Sequence, residues 1–450
     1  MKKIIFLLTC SVCLGAASAQ QAYTLEQLKH LAAEKNYSLR AAQNAIQQAK
    51  QQRDEVFTKY FPKVSATGMA MTFNKHLIEA DLDLPSELQM VLPAGVDLPS
   101  NIAIIKNGVV GAVTAVQPVF MGGMIVNGNR LAKVGQQANE IKLEISEDEV
   151  ELTTEQYYWQ AVSLKEKQNT LNSVHSMLAE LEKDVANMVR VGAVNRNDLL
   201  QVQLRKGEIE STQAEVESGL TTVCQLLAQH IGKTGEAIDV ALPAELSAQL
   251  SGGAETKAAL IALPLSIKKD HQSAVAATPQ YRLLEKNVES HRLQHQIAVG
   301  QNLPKVSVGA SYSYHNLMDG NRGMGVLFAG VNVPISGWWG GSHAIKKQKL
   351  AYEDAKEQLE DNSQKLVIRM NNAWAAVETS HKKLLIAHDA IAQAEENLRL
   401  NKDYYRVGTT KMSDLLLAQQ QYQSARDRFT DAYANFQTKQ LEYRQATGQE

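Results

Sequence analysis

The sequence has little cysteine, no excess of one charge and no long apolar segment. Its 3 cysteines stand at positions 10, 13 and 224 of 450. A lone Cys224 cannot form an intrachain disulfide, so we expect a buried thiol without covalent support for the fold. The net charge of -2 does not favour a nucleic-acid partner. After the first 20 residues, no run of about 18 apolar residues predicts a transmembrane helix.

The first residues have the pattern of an export signal. Met1–Lys3 is basic, Ile4–Leu14 is a short apolar run, and Ala17–Ala19 is an A-x-A site. Together they predict a signal peptide over residues 1–19 and therefore an exported protein. A lipid anchor on Cys13 is not favoured, because Val12 stands where a small residue is expected.

The rest of the chain is built from two copies of one pattern. Arg190–Gly192 followed by Asp198–Leu200 recurs, 216 residues later, as Arg406–Gly408 followed by Asp414–Leu416. Two further pairs recur in the same order: Pro62–Ser65 with Pro304–Ser307, and Pro118–Gly123 with Pro334–Gly341. Such repetition predicts an internal duplication. We expect a first repeat over 20–231, a mixed insertion over 232–277 packed outside the helices, and a second repeat over 278–450.

Each repeat contains a very long helix. Apolar residues recur every seven positions from Leu143 to Val185 and from Met370 to Tyr405, which predicts helices over 124–190 and 342–405 that supercoil with neighbours. The first would be about 100 Å long at about 1.5 Å per residue. Shorter helices are predicted over about 24–60, 197–231, 278–300 and 413–446, the third with Thr278 as its N-cap. Periodicity alone also fits an ordinary helical bundle.

Four strands distinguish the chain from a simple bundle. Residues 306–314 alternate between an apolar face that ends in tyrosines and a face of serine and glycine. This pattern fits a membrane β-strand or a half-buried strand of a soluble sheet. Weaker candidates lie at about 63–73, 109–118 and 324–333, with a long loop over 74–108 and a short one over 315–323. Four strands cannot close a barrel, so three copies would contribute twelve.

Prolines and glycines are predicted to mark the junctions between strands and helices. Proline ends hydrogen-bonded pairing, and glycine supplies conformational freedom. The junction residues are Pro62, Pro118, Gly122, Gly123, Pro304, Pro334, Gly340 and Gly341.

This combination of duplicated motifs resembles the TolC family of outer-membrane efflux proteins over nearly all of the chain after the signal. The resemblance implies a homotrimer, mostly α-helical with a small β part. In it a 12-stranded transmembrane β-barrel would be continuous with a long α-helical coiled-coil barrel in the periplasm. It also implies outer-membrane lipid as surroundings, a periplasmic adaptor (membrane fusion) protein, and an inner-membrane pump of RND or ABC type.

The resemblance assigns the two helix turns to a periplasmic tip that closes the duct and binds the adaptor. The tip residues would be Arg190, Val191, Gly192, Asn195, Tyr405, Arg406, Val407, Gly408 and Thr409. Pore constriction would involve Asp414, Asp198 and Leu417. Leu417 replaces a second acidic residue of the family pattern, and Thr410 replaces a basic one. Charge or capping at a helix start is an alternative role for both aspartates.

No catalytic or cofactor motif is complete. His291 and His295 are four residues apart on a predicted helix, but no glutamate lies between them and no third ligand is apparent. We expect no enzyme activity, no metal and no cofactor. The function predicted is a passive exit duct of a tripartite efflux system. One alternative is the exit duct for type I protein or peptide secretion, and another is a structural coiled-coil surface protein, which leaves the strands unexplained.

Overall fold

The computed structural model describes residues 22–74, 79–81, 101–103, 107–250, 263–317 and 321–449. The predicted signal peptide lies outside these residues. The helices are α1 Leu25–Lys35, α2 Tyr37–Phe57, α3 Met124–Arg190, α4 Arg196–His230, α5 Ala244–Leu250, α6 His271–Ala274, α7 Pro279–Gln301, α8 Gly337–Arg406 and α9 Met412–Ala446. The strands are β1 Ala22–Tyr23, β2 Lys63–Met71, β3 Glu79–Asp81, β4 Asn101–Ala103, β5 Gly108–Phe120, β6 Asp239–Val240, β7 Lys305–His315 and β8 Arg322–Asn332.

The two long helices α3 and α8 have 67 and 70 residues. α8 begins five residues before the predicted start, so the expectation that Gly340 and Gly341 form a flexible junction is wrong. Both lie within the helix, and a Cβ at Gly341 would collide with the side chain of Asn302. Glycine is needed there for close packing. Within the described residues, no helix is both long and apolar enough to cross a membrane.

The helix predicted over about 24–60 is interrupted. α1 ends before Asn36, whose backbone is extended with a ψ of 133°. The Asn36 side chain accepts a hydrogen bond from the Ser38 amide at 2.8 Å and so begins α2. Residues 58–60 form a separate 3-10 turn. By contrast, α7 begins as predicted, because the Thr278 hydroxyl accepts from the Tyr281 amide at 3.3 Å.

The chain divides into two compact units. The helical unit comprises residues 1–44, 141–282 and 361–450, and the sheet unit comprises residues 45–140 and 283–360. The helical unit contains an apolar core in which Phe429, Leu384 and Val162 are fully buried. These residues come from helices of both repeats, so the heptad positions of one repeat supply the partner surface of the other. Cys224 is buried in the same core, as predicted.

The insertion after α4 belongs to the helical unit. Its strand β6 pairs in parallel with β1, with Tyr23 opposite Val240. Leu246 of α5 is buried in the main core. The Lys269 amide and the His271 ring each bond the Tyr443 hydroxyl at 3.0 Å. The described part of the insertion therefore packs on the helical core through Leu246 and hydrogen-bonds Tyr443 near the end of α9.

The sheet unit contains one antiparallel four-stranded sheet in the order β2-β5-β7-β8. The predicted fold class, mostly α with a small four-stranded β part, is confirmed. On one face the apolar side chains are exposed, with Tyr312 at 61% and Leu327 at 86%. On the other face Thr114 and Ser311 join their hydroxyls at 2.9 Å. The edge strand β8 differs, because its Met324 and Phe328 make that face apolar too.

Two expectations for the sheet need correction. Pro118 does not end its strand, because β5 continues to Phe120 with an irregular register between these two residues. A bulge accommodates the missing amide hydrogen of proline. The predicted loop over 74–108 also contains the short antiparallel pair β3 and β4 in its described part. Its residues 75–78, 82–100 and 104–106 lie outside the description.

Candidate functional site

The two helix turns have the same backbone geometry, residue for residue. After α3, the amides of Gly192 and Ala193 donate to the carbonyls of Val189 and Met188 at 3.1 and 2.9 Å. After α8, those of Gly408 and Thr409 donate to Tyr405 and Tyr404 at 3.0 and 2.9 Å. Gly192 and Gly408 have φ angles of 77° and 78°. These are Schellman C-caps, in which glycine adopts the left-handed conformation at low cost.

In both turns the next helix begins four residues after the glycine. Asn195 and Lys411 occupy the N-cap positions, and neither side chain caps the helix. Asp198 and Asp414 lie in the first turn, so their charge favours the helix start. The capping alternative for the aspartates does not hold, since they follow the cap, whereas the alternative of favourable charge at the helix start remains.

Apolar packing brings the two turns together. Val202 of α4 and Met412 and Leu415 of α9 lie in one buried cluster with residues of α3 and α8. Arg205 joins the repeats across this cluster, because its guanidinium donates to Gln419 at 3.1 Å and to Gln423 at 3.2 Å. Sequence reasoning missed Arg205. The repeated glutamine of the motif, Gln203 and Gln419, was the available signal.

The predicted constriction residues differ in surroundings. Asp414 accepts a hydrogen bond from the Thr410 hydroxyl at 3.1 Å. Asp198 lies near Tyr405 of the other repeat, where burial first and the Asp198 charge second raise the pKa of the Tyr405 hydroxyl. Leu417 is 54% exposed, unlike its neighbour Leu415 at 3%. Thr410, which replaces a basic residue of the family pattern, therefore holds Asp414 in place within its own turn.

The tip presents apolar side chains to solvent. Val191 and Val407, at equivalent positions of the repeats, are 77% and 70% exposed. Arg190 donates to Asn187, and Arg406 lies 3.8 Å from Asp403. The remaining predicted tip residues, Asn195, Gly408 and Thr409, form the bends between helices.

A cavity of about 190 Å³ lies behind the turns and is lined by residues of α3, α8 and α9. The Tyr405 hydroxyl and the Gln419 amide nitrogen line it, and within the described residues neither has a hydrogen-bond partner. Unpaired buried polar atoms are costly. Within the described part of the chain, both atoms are therefore buried without the hydrogen bond that would offset the loss of water.

The junction residues lie in the sheet unit. Gly122 and Gly123 have φ angles of 62° and 77° before α3. A Cβ on Gly122 would lie 2.3 Å from the Gly300 carbonyl oxygen, so two backbones approach there closely. Pro62 and Pro304 directly precede β2 and β7, and Pro334 follows β8. In the part of the chain that the structure describes, no group of three or more metal-ligating side chains occurs, so His291 and His295 do not form such a group.

Comparison with known proteins identifies the class. Residues 271–449 match the family model described as outer membrane efflux protein. The match covers nearly all of the predicted second repeat and less than half of the whole chain. A search of curated protein sequences finds no significant match. The resemblance predicted from the sequence is thus confirmed.

Solved outer-membrane channels have the same fold. The chain is 13% identical to the channel CusC, with a TM-score of 0.76 over 96% of this chain and 93% of that chain. It is 17% identical to the CmeC outer membrane channel of Campylobacter jejuni (TM-score 0.74, 94% and 85%). It is 13% identical to VceC of Vibrio cholerae (TM-score 0.73, 94% and 96%). The family consists of outer-membrane efflux channels rather than enzymes, in agreement with the sequence prediction.

Proposed function

We propose that this outer membrane efflux protein is the exit duct of a tripartite efflux system. Three copies form a passive conduit in the outer membrane. A periplasmic adaptor opens it, and an inner-membrane pump of RND or ABC type supplies the energy. The observation that carries the proposal is the four-stranded sheet, whose apolar face is exposed and whose two edges are open.

The open edges demand further strands. β2 and β8 each pair on one side only within the sheet, and unpaired backbone groups are not tolerated in hydrocarbon. Three copies would supply twelve strands and close the edges. β7 and β8 each have 11 residues, which matches the roughly 9–11 that a tilted strand needs to cross a bilayer.

The helix turns support the opening step. Exposed Val191 and Val407 offer a contact for the adaptor, while the cavity beneath them is lined by helices of both repeats. Three copies of Asp414 would bring three carboxylates together, and like charges held close repel each other and attract cations. Asp414 is therefore proposed as the selectivity ring and Leu417 as an adjacent apolar one.

The assembly is tested by oligomer mass and by edge cross-linking. Cysteines at Thr67 of β2 and at Met324, Val326 or Phe328 of β8, introduced one pair at a time with Cys224→Ser, should give cross-linked dimers and trimers in outer membranes. The chain that carries Cys224→Ser alone, without introduced cysteines, is the control. A monomer in the soluble periplasmic fraction would overturn the proposal.

The gating role is tested by planar-bilayer currents. Asp414→Ala should raise conductance or lower cation selectivity because it removes the ring of charge. Asp361→Ala, an exposed residue of α8 paired with Lys365, should leave both unchanged. If Asp414→Ala currents matched the unsubstituted channel, Asp414 would only stabilise the helix start.

A further inference from the structure

The first turns of α8 carry exposed cations and no acidic residue. Lys346, Lys347 and Lys349 follow Gly337, and the first acidic residue of the helix is Glu353. Lys349 lies 3.7 Å from Glu353. Lys346 and Lys347 have no ion pair among the described residues.

The duplication repeats this feature. Arg130 and Lys133 of α3 stand 216 residues before Lys346 and Lys349. Both are exposed, and the first acidic residue of α3 is Glu140. No ion pair is formed by either of them in the part of the chain that the structure describes. The four exposed cations, Arg130, Lys133, Lys346 and Lys347, are called the basic band below.

Two tryptophans lie at the beginning of α8, before the lysines. Trp338 and Trp339 are 46% and 80% exposed. The Trp338 indole donates to the Asn302 carbonyl at 2.8 Å, and Gly341 is buried against Asn302. The side of α8 that carries Trp338 and Gly341 therefore packs against Asn302, and the side that carries Trp339 is open. Lys346 follows Trp339 by seven residues, which is two helical turns, so both project from the open side.

Further aromatic residues lie where β2 joins its helix. Phe57, Tyr60 and Phe61 are 53%, 38% and 57% exposed. Their rings contact each other edge to face, with centroids 5.6 and 5.7 Å apart. Trp338 and Trp339 follow β8 at the same end of the sheet. Exposed aromatics at the end of an apolar sheet face are typical of the boundary between lipid and water.

We propose that Trp338, Trp339 and the basic band bind the headgroups of anionic phospholipids at the edge of the membrane. This inference rests on the proposed function, since it requires the sheet to lie in lipid. The tryptophans would occupy the interfacial layer. The lysines would reach up to the phosphates, because helical side chains lean toward the helix N-terminus and long cationic ones extend toward the headgroups.

The distances allow this arrangement. Trp339 and Lys346 are about 10 Å apart along the axis at about 1.5 Å per residue. A lysine side chain that leans toward the sheet spans much of that separation. Basic residues near an anionic surface strengthen binding about five-fold each.

The test uses the full trimer and its own tryptophans. Trp159 and Trp374 are buried at 6% and 5%, so Trp159→Phe with Trp374→Phe leaves Trp338 and Trp339 as the emitters. The trimer is reconstituted in phosphatidylcholine vesicles that contain a minor amount of either brominated phosphatidylglycerol or brominated phosphatidylcholine. We expect several-fold stronger quenching by the brominated phosphatidylglycerol.

The preference should disappear with Lys346→Gln plus Lys347→Gln and weaken with Arg130→Gln plus Lys133→Gln. A matched control is Lys382→Gln plus Lys383→Gln, an exposed adjacent pair of the same helix, which should keep the preference. Equal quenching by both lipids would overturn the headgroup site and leave the duct intact. Absence of quenching in a trimer that conducts would overturn it as well and place the tryptophans away from lipid. Failure to enter vesicles of either composition would overturn the duct and the headgroup site together.

Discussion

The two units of this chain treat apolar side chains in opposite ways. In the helical unit Phe429 and Leu384 are fully buried, whereas in the sheet unit Tyr312 and Leu327 are exposed. The four main strands contain no acidic residue, while the helices are covered with ion pairs. The helical unit thus buries its large apolar side chains within its own core, whereas the sheet leaves one apolar face exposed.

Truncation of a large apolar residue should have the largest effect in the helical core. Phe429→Ala should lower the free energy of unfolding by about 3–5 kcal/mol, because it leaves a cavity in a packed interior. Leu327→Ala should change it by no more than about 0.5 kcal/mol. Denaturant unfolding in detergent, followed by circular dichroism, measures both. Similar losses would mean that Leu327 is buried by another part of the protein.

A charge on the sheet should distinguish its two faces. Ala310 and Ser311 are neighbours on β7 and point to opposite faces. Ala310→Arg should cost about 2–4 kcal/mol near the bilayer midplane and reduce outer-membrane trimers, whereas an arginine on the hydroxyl face is far less costly. Ser311→Arg is the matched control. Equal trimer yields, measured on unboiled gels, would contradict the sidedness of the sheet.

Glycine substitutions should act in opposite directions within the helical unit. Gly408→Ala forces alanine into a left-handed conformation, at about 1–2 kcal/mol. Gly207→Ala lies inside α4 with open space around its Cβ, and alanine is favoured there by about 0.5–1 kcal/mol. The midpoint temperature of thermal unfolding should fall for Gly408→Ala and rise for Gly207→Ala. Equal shifts of the two midpoints would mean that the positive φ of Gly408 does not determine its effect on stability.

The stability of the helical unit should depend on pH through Asp148. Burial first, and then the carboxylates of Glu151, Glu144 and Glu147, raise the pKa of Asp148 from 3.8 to about 6, against the opposing charge of Arg369 on α8. The folded state therefore holds the proton more tightly, and stability falls as the pH rises from about 4 to 6. Asp148→Asn should flatten this part of the stability profile. If the Asp148→Asn variant kept the same slope of stability against pH, solvent would screen the Asp148 carboxyl.

Much of the fold follows from sequence pattern. The seven-residue repeat predicts α3 and α8 because their partners lie along their whole length, and the duplicated Gly motif predicts both Schellman turns. The break at Asn36 and the continuation of β5 past Pro118 could not be predicted. Each depends on a local competition, a side-chain cap in one case and a bulge in the other, that periodicity does not record.

The site was predictable as a location but not as a set of contacts. The repeated motif indicates which turns matter, and the Thr410–Asp414 bond is local because the two residues are four positions apart. The Arg205 bridge and the Tyr405 hydroxyl, which has no hydrogen-bond partner among the described residues, depend instead on segments that are distant in sequence.

By itself, the sequence determined the duplication, the long helices and the end-to-end order of turns and strands, because these depend on spacing along one chain. Tertiary structure decided that Gly341 serves packing against Asn302 and that Asp198 acts near Tyr405 of the other repeat. It also decided that Trp339 lies on the open side of α8, two helical turns before Lys346. The physical reason is that burial, charge compensation and close approach are properties of neighbours, and those neighbours come from distant parts of the chain.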